Sequence, residues 1–101
     1  MLLARATASP YLSPVDFEFD PAKDAVNREK HGVSLVLGAA VLTNSVGEML
    51  DDRHSYGEIR MNAFGLVKGR LYACTYTTRD GRIRLISVRK ANTREQKRWL
   101  P

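Results

Sequence analysis

The chain has 101 residues, enough for one domain with one modest core. Hydrophobic residues make up 44%, which excludes a disordered chain, and no apolar run approaches the ~20 residues of a membrane-spanning helix. The formal charge of +5 points to an anionic partner, and the single cysteine, Cys74, excludes an intrachain disulfide and a Cys-rich zinc site.

Residues 1–14 include Met1-Leu2-Leu3 and Arg5 but lack the long apolar region of a secretory signal. We expect a weakly ordered N-terminal extension there, a single domain over residues 15–101, and a reducing, cytoplasmic setting. Residues 15–19 alternate apolar and acidic side chains, which predicts a short strand. Asp20-Pro21 then opens a helix: Asp20 suits the N-cap, and Pro21 the first helical position. Gly32 should end that helix, leaving Lys30 and His31 in a last turn that favours positive charge. Ser34 can cap a second, more buried helix over 35–42. A turn at 44–47, a strand from 48 and a polar loop over 51–57 follow.

Three strands are predicted next, over 58–66, 70–78 and 82–88. Lys68-Gly69 and Asp80-Gly81 have the composition of two-residue hairpin turns, so these strands should be antiparallel neighbours. Thr93 and Gln96 read as the capping box of a last helix. The order is β-α-α-β-β-β-β-α. It predicts an α+β fold: an antiparallel sheet, two N-terminal helices on one face and a C-terminal helix.

Two-residue turns fix a register. Thr77 should face Arg84, Thr75 should face Ile86, and Arg60 and Asn62 should face Thr77 and Thr75. Side chains directly across strands share a face. Ile59, Met61, Ala63, Tyr72, Cys74, Tyr76, Ile83 and Leu85 then form the face that the helices cover. The other face carries Phe64, Leu66, Leu71, Ala73, Ile86 and Val88 toward one end. Toward its other end it carries Arg60, Asn62, Thr75, Thr77, Arg82 and Arg84. Arg60 and Arg84 flank Thr77 and repel each other unless an anion lies between them or each pairs elsewhere, with Glu58 or Asp51 as candidates.

Charge concentrates at the end of the chain. Residues 79–101 hold Arg79, Arg82, Arg84, Arg89, Lys90, Arg94, Lys97 and Arg98 against Asp80 and Glu95, a net +6. Arginine outnumbers lysine 11 to 5 in the whole chain, and its planar fork matches phosphate and carboxylate geometry. A solvated basic face, an acidic protein and RNA all fit this count. RNA can be cut without a metal when a base takes the 2′-OH proton, cations hold the phosphorane charge and an acid protonates the leaving oxygen. His31 and His54 are the candidates for proton transfer, each with a bland alternative as helix-end cation or loop residue. Asp51, Asp52 and Glu58 read as solvated carboxylates rather than a metal site. Cys74 reads as packing. Trp99 could stack on a base or fill a core.

The stretch Phe17-Glu18-Phe19-Asp20-Pro21-Ala22-Lys23, followed by Asn27 and by Lys30-His31-Gly32-Val33-Ser34, resembles the N-terminal signature of BrnT-type toxins. Asp52, Glu58 and Arg60 continue the likeness. The run Arg84-Leu85-Ile86-Ser87-Val88-Arg89-Lys90-Ala91-Asn92-Thr93-Arg94-Glu95 resembles the closing motif of that family. The resemblance implies a RelE-like ribonuclease fold and a type II toxin that inhibits translation by cleaving RNA, with no cofactor. It also implies a BrnA-type ribbon-helix-helix antitoxin as partner and contact with operator DNA only through that antitoxin. On this reading His31, Arg60, Arg84 and Arg89 are the expected catalytic positions. Lys30, Arg82, Lys90, Arg94, Lys97 and Arg98 are expected to bind RNA. Trp99 stands where the family tends to have Tyr. The rival expectation is a non-catalytic module that holds RNA or an antitoxin and serves as a co-repressor subunit.

Overall fold

The computed structural model describes residues 16–53 and 57–101 in full and the backbone of residues 4–7. His54 and the rest of the N-terminal extension lie outside the described residues. The elements run β1 (Ala4–Thr7), β2 (Asp16–Phe19), α1 (Pro21–His31), α2 (Leu37–Thr43), β3 (Ser45–Leu50), β4 (Met61–Val67), β5 (Arg70–Arg79), β6 (Arg82–Lys90) and α3 (Thr93–Trp99). One sheet takes the order β1-β2-β6-β5-β4-β3. The expected α+β element order holds, with the added strand β1 at its start.

The sheet is mixed, where the sequence reading expected antiparallel pairing throughout. β2 lies parallel to β6, pairing Phe17 with Ile83 and Glu18 with Arg84. α1 and α2 carry the chain from β2 to β3 at the opposite edge of the sheet, and the hairpins then fold back to β6. β1 pairs antiparallel with the outer edge of β2.

Both hairpin turns contain two residues, as their composition demands. Lys68 and Gly69, and Asp80 and Gly81, all have positive φ, the signature of type I′ turns that match the strand twist. Thr77 therefore faces Arg84, and Asn62 faces Thr75. The predicted Thr75–Ile86 pair fails, because Thr75 faces Ser87. Tyr76 faces Leu85, so Ile86 is the extra residue of a β-bulge. Beyond it the alternation of β6 is inverted. Val88 turns into the helix-covered core rather than the opposite face, and Arg89 comes to lie opposite Ala73.

The first core unites Phe17 and Phe19 with Leu35, Val41, Cys74, Leu85 and Val88 beneath α2. Two glycines let layers meet closely. A Cβ on Gly65 would collide with the Val41 carbonyl, and one on Gly47 with the Trp99 ring. Tyr76, placed on the covered face by the sequence reading, is half-buried there and donates its hydroxyl to Glu48 at 2.8 Å. The second core joins Phe64, Leu71, Ala73 and Ala91 on the other face, closed by Leu66, Trp99 and Leu100. Trp99 stacks on Phe64 with ring centroids 5.2 Å apart. α3 thus covers the apolar end of this face.

The cap of α3 is displaced by one residue from the expected Thr93–Gln96 pair. Asn92 is the N-cap and Glu95 its reciprocal partner, with bonds of 2.8 and 2.9 Å. A capping box needs its second member three residues after the cap, and Thr93 is already helical. α2 likewise begins two residues later than predicted, because Ser34 spends its hydroxyl in the preceding turn, donating to Asp24 and accepting from the Val36 N–H.

α1 is polar, and its buried residue is Asn27. The Asn27 carboxamide donates to the Val88 carbonyl and accepts from the Val88 N–H, at 2.9 and 3.1 Å, as a neighbouring strand would. It also donates to the Val33 carbonyl at 2.9 Å. α1 therefore docks where β2 has ended, along the free edge of β6. Asn27→Ala leaves both Val88 backbone groups without these partners, and we expect it to lower stability by about 2–4 kcal/mol. Glu29→Ala, on the exposed side of the same helix, should stay within about 0.5 kcal/mol of the parent. Urea denaturation of the two variants measures the difference.

Candidate nucleic-acid interface

Neither apolar core extends over the polar end of the second sheet face. Thr75 and Thr77 lie there, both buried. The Thr75 hydroxyl bonds the Asn62 side-chain oxygen at 2.6 Å, and the Thr77 hydroxyl donates to the Ile59 carbonyl at 2.6 Å. Strand pairing between β4 and β5 starts at Met61 and Tyr76. Arg60 precedes it, its carbonyl accepting from the Asp51 N–H at 2.8 Å.

The arginines predicted for this surface are present, and they carry carboxylate partners. Glu18 projects from β2 opposite to Phe17 and Phe19 and is only 4% exposed. It lies 3.4 Å from Arg84 and 4.0 Å from Arg82. Glu58 bridges Arg60 at 3.2 Å and Arg79 at 2.9 Å. Burial would raise the Glu58 pKa, but the hydrogen bonds and charges of Arg60 and Arg79 outweigh it and hold the carboxyl below its ordinary value. Arg60 and Arg84 thus flank the Thr77 row without facing each other as bare charges. The Arg84 Nε–H is buried without an acceptor among the described residues.

Further along β6, the bulge brings Arg89 onto the same face. Its guanidinium forms two parallel bonds to Glu95, at 2.7 and 2.8 Å. The Arg89 bond depresses the Glu95 pKa, and the Glu95 bond raises that of Arg89. His31 ends α1 close enough to feel Arg89. Partial burial first, and then the charges of Lys30 and Arg89, push the imidazole below its ordinary pKa. A cavity of about 280 Å³ opens here between α1 and β6, bordered by Lys23, Lys30, His31 and Ser87.

The helical cations lie apart. Arg94, Lys97 and Arg98 are exposed on α3. Arg98 covers the Trp99 ring at 5.1 Å, and Lys97 borders a separate hollow beside Thr93 and Pro101. Lys90 is exposed at the end of β6. Trp99 is a packing residue, wedged between Phe64 and Gly47. Cys74 is buried in the first core, and burial pushes its thiol up to about 12, so it is no nucleophile. Of the three carboxylates weighed for metal binding, Asp51 is buried and paired with Arg53 at 2.8 Å, Glu58 is committed to arginines, and Asp52 is exposed.

Sequence reasoning missed Glu18, Lys23 and Arg53. Glu18 was legible, because strict alternation in 16–19 places it on the arginine face. Arg53 was not, since its nearness to Arg89 depends on the path of the 51–60 loop.

A family model described as "Ribonuclease toxin, BrnT, of type II toxin-antitoxin system" matches residues 19–95. No curated protein matches the chain. Among the described residues, no helix is long and apolar enough to cross a membrane.

The lowered pKa of His31 has a definite sign for stability. The folded state binds this proton less tightly than the unfolded chain. The group therefore imposes no penalty well above pH 6.5 and a growing one as pH falls through 6.5 toward the folded value. An NMR titration should place His31 below 6.5, and Lys30→Ala should move it upward by removing one of the depressing charges. A midpoint at or above 6.5 in the parent contradicts the described environment.

Proposed function

The chain belongs to the BrnT family of ribonuclease toxins of type II toxin–antitoxin systems, and we propose on that basis that it is a metal-independent endoribonuclease acting in the cytoplasm, where it arrests translation by cutting RNA. The observation that carries this reading is the arrangement along β6. Arg82 and Arg84 before the bulge and Arg89 after it line one face, with His31 beside Arg89.

Chemistry follows from these groups. A depressed pKa keeps the His31 imidazole neutral near pH 7, the form that accepts a proton. His31 would take the 2′-OH proton as the 2′-oxygen attacks phosphorus. The bond from phosphorus to the 5′-oxygen breaks, and that oxygen takes a proton from solvent water. The products are a 2′,3′-cyclic phosphate and a 5′-hydroxyl. Arg60 and Arg84 would stabilise the extra negative charge of the phosphorane, and Arg89 would hold a non-bridging oxygen. The unpaired Arg84 Nε–H is a donor that a phosphate oxygen could satisfy once the guanidinium turns from Glu18. Glu18 and Glu58 preorganise the guanidinium groups and compete with phosphate for them.

Lys30, Arg82, Lys90, Arg94, Lys97 and Arg98 would engage the RNA backbone. The antitoxin would be of the BrnA type, and its binding would cover or distort the arginine face. Operator DNA would be reached only through it. A second reading keeps the binding and drops the catalysis: the resident carboxylates on Arg60, Arg84 and Arg89 suit a face that only holds an anion.

Arg60→Ala and Arg84→Ala should each reduce RNA cleavage by roughly 10²–10³-fold, the range for losing one donor to a developing oxyanion. Cleavage by the parent should persist in a chelator and leave cyclic phosphate ends, read by mass spectrometry of the fragments. Parent protein that retains RNA in a binding assay but leaves it uncut establishes the second reading instead.

A further inference from the structure

The cationic groups divide into two populations. Those on the sheet face are paired with carboxylates: Arg60 and Arg79 with Glu58, Arg82 and Arg84 with Glu18, Arg89 with Glu95. Lys23 and Lys30, on α1, form no ion pair with any described residue. They lie at the first and last positions of the stripe Lys23, Val26, Asn27, Lys30, which follows the i, i+3, i+4, i+7 spacing of one helix face. The acidic residues of α1 are off that stripe. Asp24 is spent on Arg28, Ser34 and the Leu35 N–H, and Glu29 is exposed elsewhere on the helix.

Such a stripe normally carries the apolar contact of a surface helix. Here the buried contact is Asn27, through the edge of β6, and the residues around it border a cavity. Its wall combines Lys23, Lys30 and His31 with the apolar side chains of Val26 and Ile86 and with Ser87. Val26 is 61% exposed, so its apolar surface is open to an incoming group at the edge of the cavity. The volume, about 280 Å³, falls just below the ~300–1,000 Å³ of pockets that enclose a whole ligand. Unpaired cations on the rim, a hydroxyl, and two apolar surfaces are the requirements of one nucleotide: phosphate on the lysines, base against Val26 and Ile86.

We propose that the cavity between α1 and β6 is a subsite for a single-stranded RNA nucleotide flanking the cut, with Lys23 and Lys30 on its phosphate and Val26 and Ile86 against its base. This inference rests on the ribonuclease reading for the identity of the strand, and it assigns a role to Lys23, Val26 and Ile86 that the catalytic chemistry does not. The subsite adjoins the reacting groups through His31, so a strand seated there continues toward Arg89 and Arg84.

The test uses full-length protein and short single-stranded RNA methylated at every 2′-oxygen, which binds but cannot be cut. Lys23 and Val26 are exposed, and circular dichroism verifies that their variants fold. Fluorescence anisotropy across a salt series should show Lys23→Ala reducing the slope of log affinity against log salt by about 0.7, the value of one phosphate contact on a single strand. Val26→Glu should weaken binding about tenfold or more by placing a carboxylate where the base packs, beside the lysines that hold the phosphate. In NMR, the Val26 methyl signals should shift saturably with uridine 3′-monophosphate and less with inorganic phosphate at equal concentration. Equal shifts overturn the nucleotide assignment in favour of a bare anion. RNA binding unchanged in both variants overturns the subsite, as does a Lys23→Ala variant that loses an acidic peptide while keeping RNA. Failure of the parent to cut unmodified RNA refutes the ribonuclease reading alone, since binding of the methylated strand is read separately.

Discussion

One side-chain amide governs the relation between the helical and sheet parts of this domain. Asn27 presents an N–H and a carbonyl to both backbone groups of Val88 and so stands in for the strand that β6 lacks beyond Arg84. A buried edge with unpaired backbone groups would be costly, and an apolar helix face cannot satisfy it. α1 can therefore be polar along most of its surface and still dock firmly. Its last turn reaches the sheet at the height of Arg89, which is why His31 and Lys30 stand beside an arginine remote in sequence.

The two sheet faces show how polar and apolar surface are apportioned in a chain this short. α2 covers one face, and the Trp99 of α3 covers only the apolar half of the other. What remains is a polar surface whose guanidinium groups are held by carboxylates from β2 and from the segment before β4. Each pair restricts long, flexible side chains and offsets part of their charge. Geometry is gained over raw attraction, and the surplus positive charge is left to the lysines of α1 and the end of the chain.

Much of this was readable in the residues. Asp20-Pro21, Gly32 and the two X-Gly hairpin turns carry local chemistry that fixes a backbone state, and each was found where expected. Alternation in 16–19 separated Phe17 and Phe19 from Glu18. The turn-derived register placed Thr77 beside Arg84 correctly. It then failed at Ile86, because nothing local in Leu-Ile-Ser-Val announces an inserted residue. Those four side chains suit either alternation, and the bulge is selected by burying Val88 and pairing it with Asn27. The parallel placement of β2 was equally invisible, since pairing across that distance in sequence leaves no trace in turn composition. For the candidate site, the arginines were legible as a cluster of charge and Glu58 as a partner for them, whereas Glu18 and Glu95 reach Arg84 and Arg89 through the parallel placement of β2 and the bulge.

The bulge at Ile86 gives β6 one residue of slack between two halves whose facings are fixed by their partners. Its side chains could be exchanged for others of like size and polarity without altering which way each one faces. Deleting Ile86 would restore uniform alternation with Val88 still facing inward and Arg89 outward, whereas straightening the strand at its present length would send the Val88 position outward and the Arg89 position inward. A lineage carrying this strand can therefore lose the bulge residue without turning either half over, and a single gap between the Asp80-Gly81 turn and Asn92 should fall at the bulge rather than elsewhere in the strand.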